Sequence, residues 1–129
     1  MKRPKILLAD DHRIVAEGLR GLLEPEFELV GIVEDGRAML DAVDKLKPDV
    51  VVADVSMPLL NGIDAVRLLK KKNKEIAVVF LTMHLDVTYA ASAFEVGASG
   101  YVLKHSAPSE LVTAINSALK GRTYITPLL

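Results

Sequence analysis

Short apolar runs alternate with amphipathic stretches along this chain, and that alternation limits the fold more than any other feature. Ile6-Leu7-Leu8-Ala9, Phe27 to Val33, Val50-Val51-Val52-Ala53, Ala77 to Leu81 and Tyr101-Val102-Leu103 read as strands. Between them, Val15, Leu19 and Leu22 fall at i, i+4, i+7, the spacing of a helix face. Met39, Val43 and Leu46 mark a second helix, and Ile63, Val66 and Leu69 a third. A fourth runs from about Val87 to Val96. The last carries the broad stripe Leu111, Val112, Ile115, Ala118 and Leu119. Pro25, Pro48, Gly97 and Gly121 stop helices, and Pro58, Asn61 and Gly62 break the chain before the third. Strands apolar on both sides and separated by helices imply a parallel sheet covered on both faces. Right-handed crossovers then restrict the topology to a doubly wound α/β fold. Residues 122–129 show neither period. They read as the start of a linker, leaving 1–121 as the expected folded domain.

Composition narrows the function classes. The 129 residues suit one domain with one core, and half of them are apolar, an ordinary globular balance. Sixteen Lys and Arg against seventeen Asp and Glu give a net charge of −1, which argues against nucleic-acid binding by these residues. With no cysteine, disulfides, thiolate metal sites and Cys nucleophiles are excluded. No apolar run approaches the roughly 18–20 residues of a membrane span, and no secretory cleavage site is expected. Lys70-Lys71-Lys72 with Lys74 is the only charge run, and it reads as a solvated helix end.

The informative polar residues stand where the strands stop. The first strand stops at Asp10-Asp11, the third at Asp54, the fourth at Thr82 and the fifth at Lys104. In a parallel sheet these ends share one edge, where ligands of open α/β sheets bind. If the first and third strands are neighbours, Asp10, Asp11 and Asp54 converge. Each residue alone is read as a turn former, a helix cap or a surface lysine. Together they are the equipment of metal-assisted phosphoryl transfer. Three carboxylates need a hard dication such as Mg²⁺, and a nucleophilic carboxylate needs cationic clamps. Asp54, which opens the loop Val55-Ser56-Met57-Pro58, is the candidate nucleophile.

Four segments carry a family resemblance. They are Ile6-Leu7-Leu8-Ala9-Asp10-Asp11-His12, Val51-Val52-Ala53-Asp54-Val55-Ser56-Met57-Pro58, Phe80-Leu81-Thr82 and Gly97-Ala98-Ser99-Gly100-Tyr101-Val102-Leu103-Lys104. In this order and spacing they resemble the response-regulator receiver domain of two-component signalling, over essentially the whole chain. The resemblance implies a flavodoxin-like (βα)5 sheet of order 2-1-3-4-5. It implies that Asp54 accepts a phosphoryl group from a histidine kinase or a small donor such as acetyl phosphate. It implies that Mg²⁺ is held by Asp11 and Asp54, by Asp10 directly or through water, and by the backbone carbonyl of Ser56. Lys104 and Thr82 contact the phosphoryl group, and Thr82 and Tyr101 form the switch, Tyr101 swinging into the space that Thr82 leaves. A complete switch takes roughly 5.5 kcal/mol of differential interaction, so partial population of both states is expected.

The segments from His12 to Leu19 and from Gly121 to Pro127 further resemble the NarL/FixJ (LuxR-type) subfamily, in which a linker and a helix-turn-helix DNA-binding domain follow. The chain is accordingly expected to be the cytoplasmic receiver part of a transcription regulator, reaching DNA only through that further domain. A homodimer through exposed apolar positions of the first and last helices is expected to be weak. A stand-alone receiver is the alternative. The chain departs from the family in having His105 where a proline often follows the lysine. A cis non-prolyl bond costs about 2.5–4 kcal/mol, so trans is expected there. Ser56 and His84 flank the route of an attacking water, and His84 and His105 are read as exposed loop histidines. An Asp-nucleophile phosphohydrolase is disfavoured because Ser56 stands where a second acid is wanted. A nucleotide or flavin module is disfavoured because Asp10-Asp11-His12-Arg13 repels anions. An interaction-only degenerate receiver is disfavoured by the full residue set.

Overall fold

The computed structural model describes residues 3–57, 59–83 and 86–127. The elements run β1 (Lys5–Ala9), α1 (Arg13–Leu23), β2 (Glu28–Val33), α2 (Gly36–Leu46), β3 (Val50–Asp54), α3 (Gly62–Lys72), β4 (Ala77–Thr82), α4 (Val87–Glu95), β5 (Gly100–Leu103), α5 (Ala107–Leu119) and β6 (Tyr124–Ile125). The sheet order is β2-β1-β3-β4-β5-β6, and every described pairing is parallel.

The pleat divides the core in two. Leu7, Ala9, Val51, Ala53, Val78 and Phe80 face α2, α3 and α4, packing with Met39, Val43, Val66 and Leu69. Ile6, Leu8, Val50, Val52, Val79 and Leu81 point the other way, onto Leu19 and Leu23 of α1 and Leu111 and Ile115 of α5. Both faces of β1, β3 and β4 are therefore dry, which is why these strands carry unbroken aliphatic runs instead of alternation. Side-chain caps fix three helix starts. Asp35 accepts from the Ala38 amide, Asn61 from Asp64, and Asp86 from Thr88 and Tyr89.

One expectation is corrected. Residues 124–125 are not linker but a sixth strand, with Gly100 paired to Tyr124 and Tyr101 to Ile125. Thr126 is buried; its amide donates to the Tyr101 carbonyl at 2.9 Å, and its Oγ1 accepts from the Leu103 amide at 3.0 Å. The Tyr124 hydroxyl donates to Glu110 Oε1 at 2.9 Å. A two-residue strand is too short to show a period, and the edge of β5 supplies the pairing that its own sequence does not announce. The sheet thus has six strands, and the folded part extends past residue 121. No cis peptide bond occurs among the described residues, and a 3-10 turn over Lys104–Ser106 leads into α5.

Candidate functional site

Sheet register brings the acids together. Ala9 of β1 pairs with Ala53 of β3, so Asp10 and Asp54 are the next residues on neighbouring strands, at strand spacing of about 4.8 Å. Both are buried, at 1% and 3% exposure. Asp11 turns outward beside them. The Lys104 ammonium reaches in from the end of β5, donating to Asp54 Oδ2 at 2.8 Å and standing 3.2 Å from Asp10 Oδ2. The Ser56 amide donates to Asp54 Oδ1 at 3.1 Å, and the His12 amide to Asp10 Oδ1 at 2.9 Å.

The loop after β3 is held close by Gly62, where any Cβ would collide with the Asp54 backbone carbonyl. The start of α3 therefore lies directly against the strand that carries Asp54, and the Gly62 amide donates to the Val55 carbonyl at 2.9 Å. Thr82 ends β4 and is buried. An open cleft of about 970 Å³ runs out between α3 and α4, lined by Asp54, Ser56, Asp64, Arg67, Thr82 and Tyr89 among others.

The electrostatics show a deficit of positive charge. Burial raises the Asp54 pKa above its ordinary value, and Asp10 adds to the rise; the Lys104 and Ser56 contacts offset it only in part. Burial pulls the Lys104 pKa down, but the bond and charge of Asp54 and the charge of Asp10 outweigh it, so the net direction is up. Asp10 Oδ2 and Asp11 Oδ1 are buried and accept no hydrogen bond among the described residues. Oxygens of Asp10, Asp11 and Asp54, with a nitrogen of His12, lie within 4.8 Å of one another. Asp10 Oδ2 faces the Lys104 ammonium at 3.2 Å without a formed hydrogen bond, and with Asp11 Oδ1 it keeps acceptor capacity of the kind a divalent cation uses. The residues fit a divalent metal.

Of the site residues read from the sequence, Asp10, Asp11, Asp54 and Lys104 are in one cluster, and Thr82 lines the same cleft. Ser56 meets Asp54 through its amide. Tyr101 is wholly buried in the core on the α2–α4 face. Burial raises its pKa; the Thr82 hydroxyl is near enough to oppose this, although the phenol oxygen makes no hydrogen bond of ordinary geometry among the described residues. His105 is exposed, and His84 lies outside the described residues. The sequence reading did not single out His12. Its ring meets Asp10, Asp11 and Lys104, and its position directly after the acid pair was the available signal.

Comparison with known proteins agrees with this geometry. Residues 6–116 match the family model of the response regulator receiver domain. The chain is 38% identical over 125 residues to the transcriptional regulatory protein DegU of Brevibacillus brevis, covering 95% of this chain and 53% of that protein. It is 35% identical over 123 residues to the response regulator UvrY of Escherichia coli K12, covering 93% and 56%. The chain spans a little over half the length of these relatives. Among solved structures, a two-component response regulator of the LuxR family from Aurantimonas sp. SI85-9A1 superposes with a TM-score of 0.92 at 39% identity, over 98% of this chain and 91% of that one. The non-phosphorylated receiver domain of the stress response regulator RcsB from Escherichia coli gives 0.90 at 29% identity, over 98% and 100%. Fold, acid cluster and relatives converge, and the chain belongs to the response regulator receiver domain family, among relatives of the NarL/LuxR type.

Proposed function

We propose that Asp54 is the phosphoacceptor. The observation that carries this is the buried cluster of Asp54, Asp10 and Lys104, in which one carboxylate faces an open cleft and is held by an ammonium at 2.8 Å. A carboxylate oxygen of Asp54 attacks phosphorus in line. The bond from phosphorus to a kinase histidine nitrogen, or to the acyl oxygen of acetyl phosphate, breaks as the Asp54 O–P bond forms. Asp10, Asp11, Asp54 and the Ser56 carbonyl are the residues to hold Mg²⁺, which would supply charge neutralisation for the phosphoryl oxygens. Lys104 leaves its carboxylate partners to pair with the phosphoryl group, and the Thr82 hydroxyl donates to it. Tyr101 is the switch ring that takes the space Thr82 leaves as it moves towards the phosphoryl group.

The same reading makes the protein a phosphorylation-controlled signalling domain, not a turnover enzyme. Its partners are a histidine kinase and, through a helix-turn-helix domain in the full-length regulator, DNA. The domain boundary belongs after Thr126, which is buried and hydrogen-bonded to β5. Ile14 on α1 and Leu119 on α5 are exposed apolar positions suited to a weak homodimer. No described helix is long and apolar enough to cross a membrane, and we place the protein in the cytoplasm, where its kinase donor domain would be. Intact mass after incubation with acetyl phosphate and Mg²⁺ tests the central step. One phosphoryl group per chain is expected, and none in Asp54→Asn. Steady release of phosphate from phosphomonoesters would support the phosphohydrolase instead.

A further inference from the structure

One neighbour of the acid cluster, His12, has no task in the phosphoryl-transfer scheme. Its Nδ1 stands 3.2 Å from Asp11 Oδ1, 3.3 Å from Asp10 Oδ1 and 3.8 Å from Asp54 Oδ2. Donors about 2.0–2.2 Å from a shared ion stand roughly 3.0–3.5 Å apart when adjacent. The nitrogen is therefore already spaced from two acids as a fellow ligand would be. In the tautomer that accepts from Lys104 Nζ, 3.4 Å away, the single Nδ1 lone pair faces the cluster, and a metal takes it only as the ammonium withdraws. The ring is 59% exposed, so a cation reaches it from solvent without any opening of the fold. Asp10 Oδ2 and Asp11 Oδ1 are buried and accept no hydrogen bond among the described residues; Asp10 Oδ2 faces the Lys104 ammonium at 3.2 Å, so a positive charge already stands where a metal would bind. Oxygen-only donors suit Mg²⁺, whereas an added imidazole suits Zn²⁺ and Ni²⁺.

We propose that His12 is a nitrogen ligand that lets this site take borderline divalent cations such as Zn²⁺, with a preference over Mg²⁺ that the acids alone would not give. The inference rests on the reading of the acid cluster as a metal site. His12 caps α1 without any side-chain bond, so its replacement removes no helix cap.

The test is calorimetric titration of the full chain with Mg²⁺ alone and with Zn²⁺ alone, in wild type, His12→Ala, His12→Asn and Asp11→Asn. Zn²⁺ affinity is expected to fall by about tenfold or more in both His12 variants, while Mg²⁺ affinity changes by less than about twofold. The ¹⁵N resonance of His12 Nδ1 is expected to shift on adding Zn²⁺. Unchanged Zn²⁺ affinity in the His12 variants, equal losses for the two metals, or an unmoved His12 resonance would overturn the proposal. Absence of Mg²⁺ binding in wild type, with Asp11→Asn indistinguishable from it, would instead remove the metal reading of the cluster itself.

Discussion

Replacing Lys104 by methionine probes the electrostatics of the site in its metal-free form. The substitution keeps most of the buried stem and deletes the one ammonium facing Asp54 at 2.8 Å and Asp10 at 3.2 Å. Two carboxylates of 3% and 1% exposure are then left facing each other. Breaking a buried ion pair on one side costs about 3–5 kcal/mol, and the lower figure suits a site that opens into a cleft. At roughly 3–4 °C per kcal/mol for a domain of this size, the midpoint of thermal unfolding should drop by about 10 °C in EDTA at neutral pH. Saturating Mg²⁺ binds only the folded form and adds about 2.7 kcal/mol at a hundredfold excess over its dissociation constant. It should raise the variant at least as much as the wild type, because the variant has lost the cation that competes for the same acids. Acidification should narrow the gap as well. With the ammonium gone, the Asp54 pKa, already raised by burial, rises further, and the folded state gains stability as pH falls towards it. Unfolding scans at pH 5.5 and 7.5, with EDTA and with Mg²⁺, provide the assay. A loss below about 1 kcal/mol, or one indifferent to both Mg²⁺ and pH, would refute a charge-starved pocket.

Other expectations follow from single contacts. Gly62→Ala should cost about 1–3 kcal/mol or more by driving a methyl into the Asp54 carbonyl, and it should slow phosphorylation through the displaced loop; urea unfolding and labelling rates measure both. Thr126→Val strands the Leu103 amide and should cost about 1–3 kcal/mol, with hydrogen exchange at Leu103 accelerating; an unchanged exchange rate would mean that β6 does not hold β5. In metal-free protein, ¹³C NMR should show the Asp54 carboxyl taking up its proton above the ordinary 3.8, so its contribution to stability falls as pH rises from 3.8 through that higher value.

The fold was legible because its central strands are buried twice over. Val50 to Ala53 reads as a strand covered on both faces, and in a parallel sheet the acids closing β1 and β3 share an edge. The neighbourhood of β1 and β3 was implied by family resemblance, and the register of Ala9 with Ala53 supplies its physical basis. Three features were not legible. The strand Tyr124–Ile125 exists because β5 offers an open edge and Thr126 pins it, a tertiary effect that no local pattern carries. Lys70, read as part of a solvated run, instead turns its ammonium back onto the Ile76 carbonyl at 2.6 Å, closing the end of α3 onto the loop before β4. His12 escaped notice for a similar reason: its meaning comes from Lys104, 92 positions away in sequence.

The central claim is that the phosphoryl group resides on Asp54 and on none of the acids beside it. Borohydride reduction of protein freshly labelled with acetyl phosphate and Mg²⁺, followed by peptide mass mapping, reads this directly, since an aspartyl phosphate is converted to homoserine. Homoserine at position 54, with Asp10 and Asp11 intact, is the predicted result. Homoserine at position 10 or 11, or a phosphoryl group that resists reduction because it sits on a histidine, would contradict it.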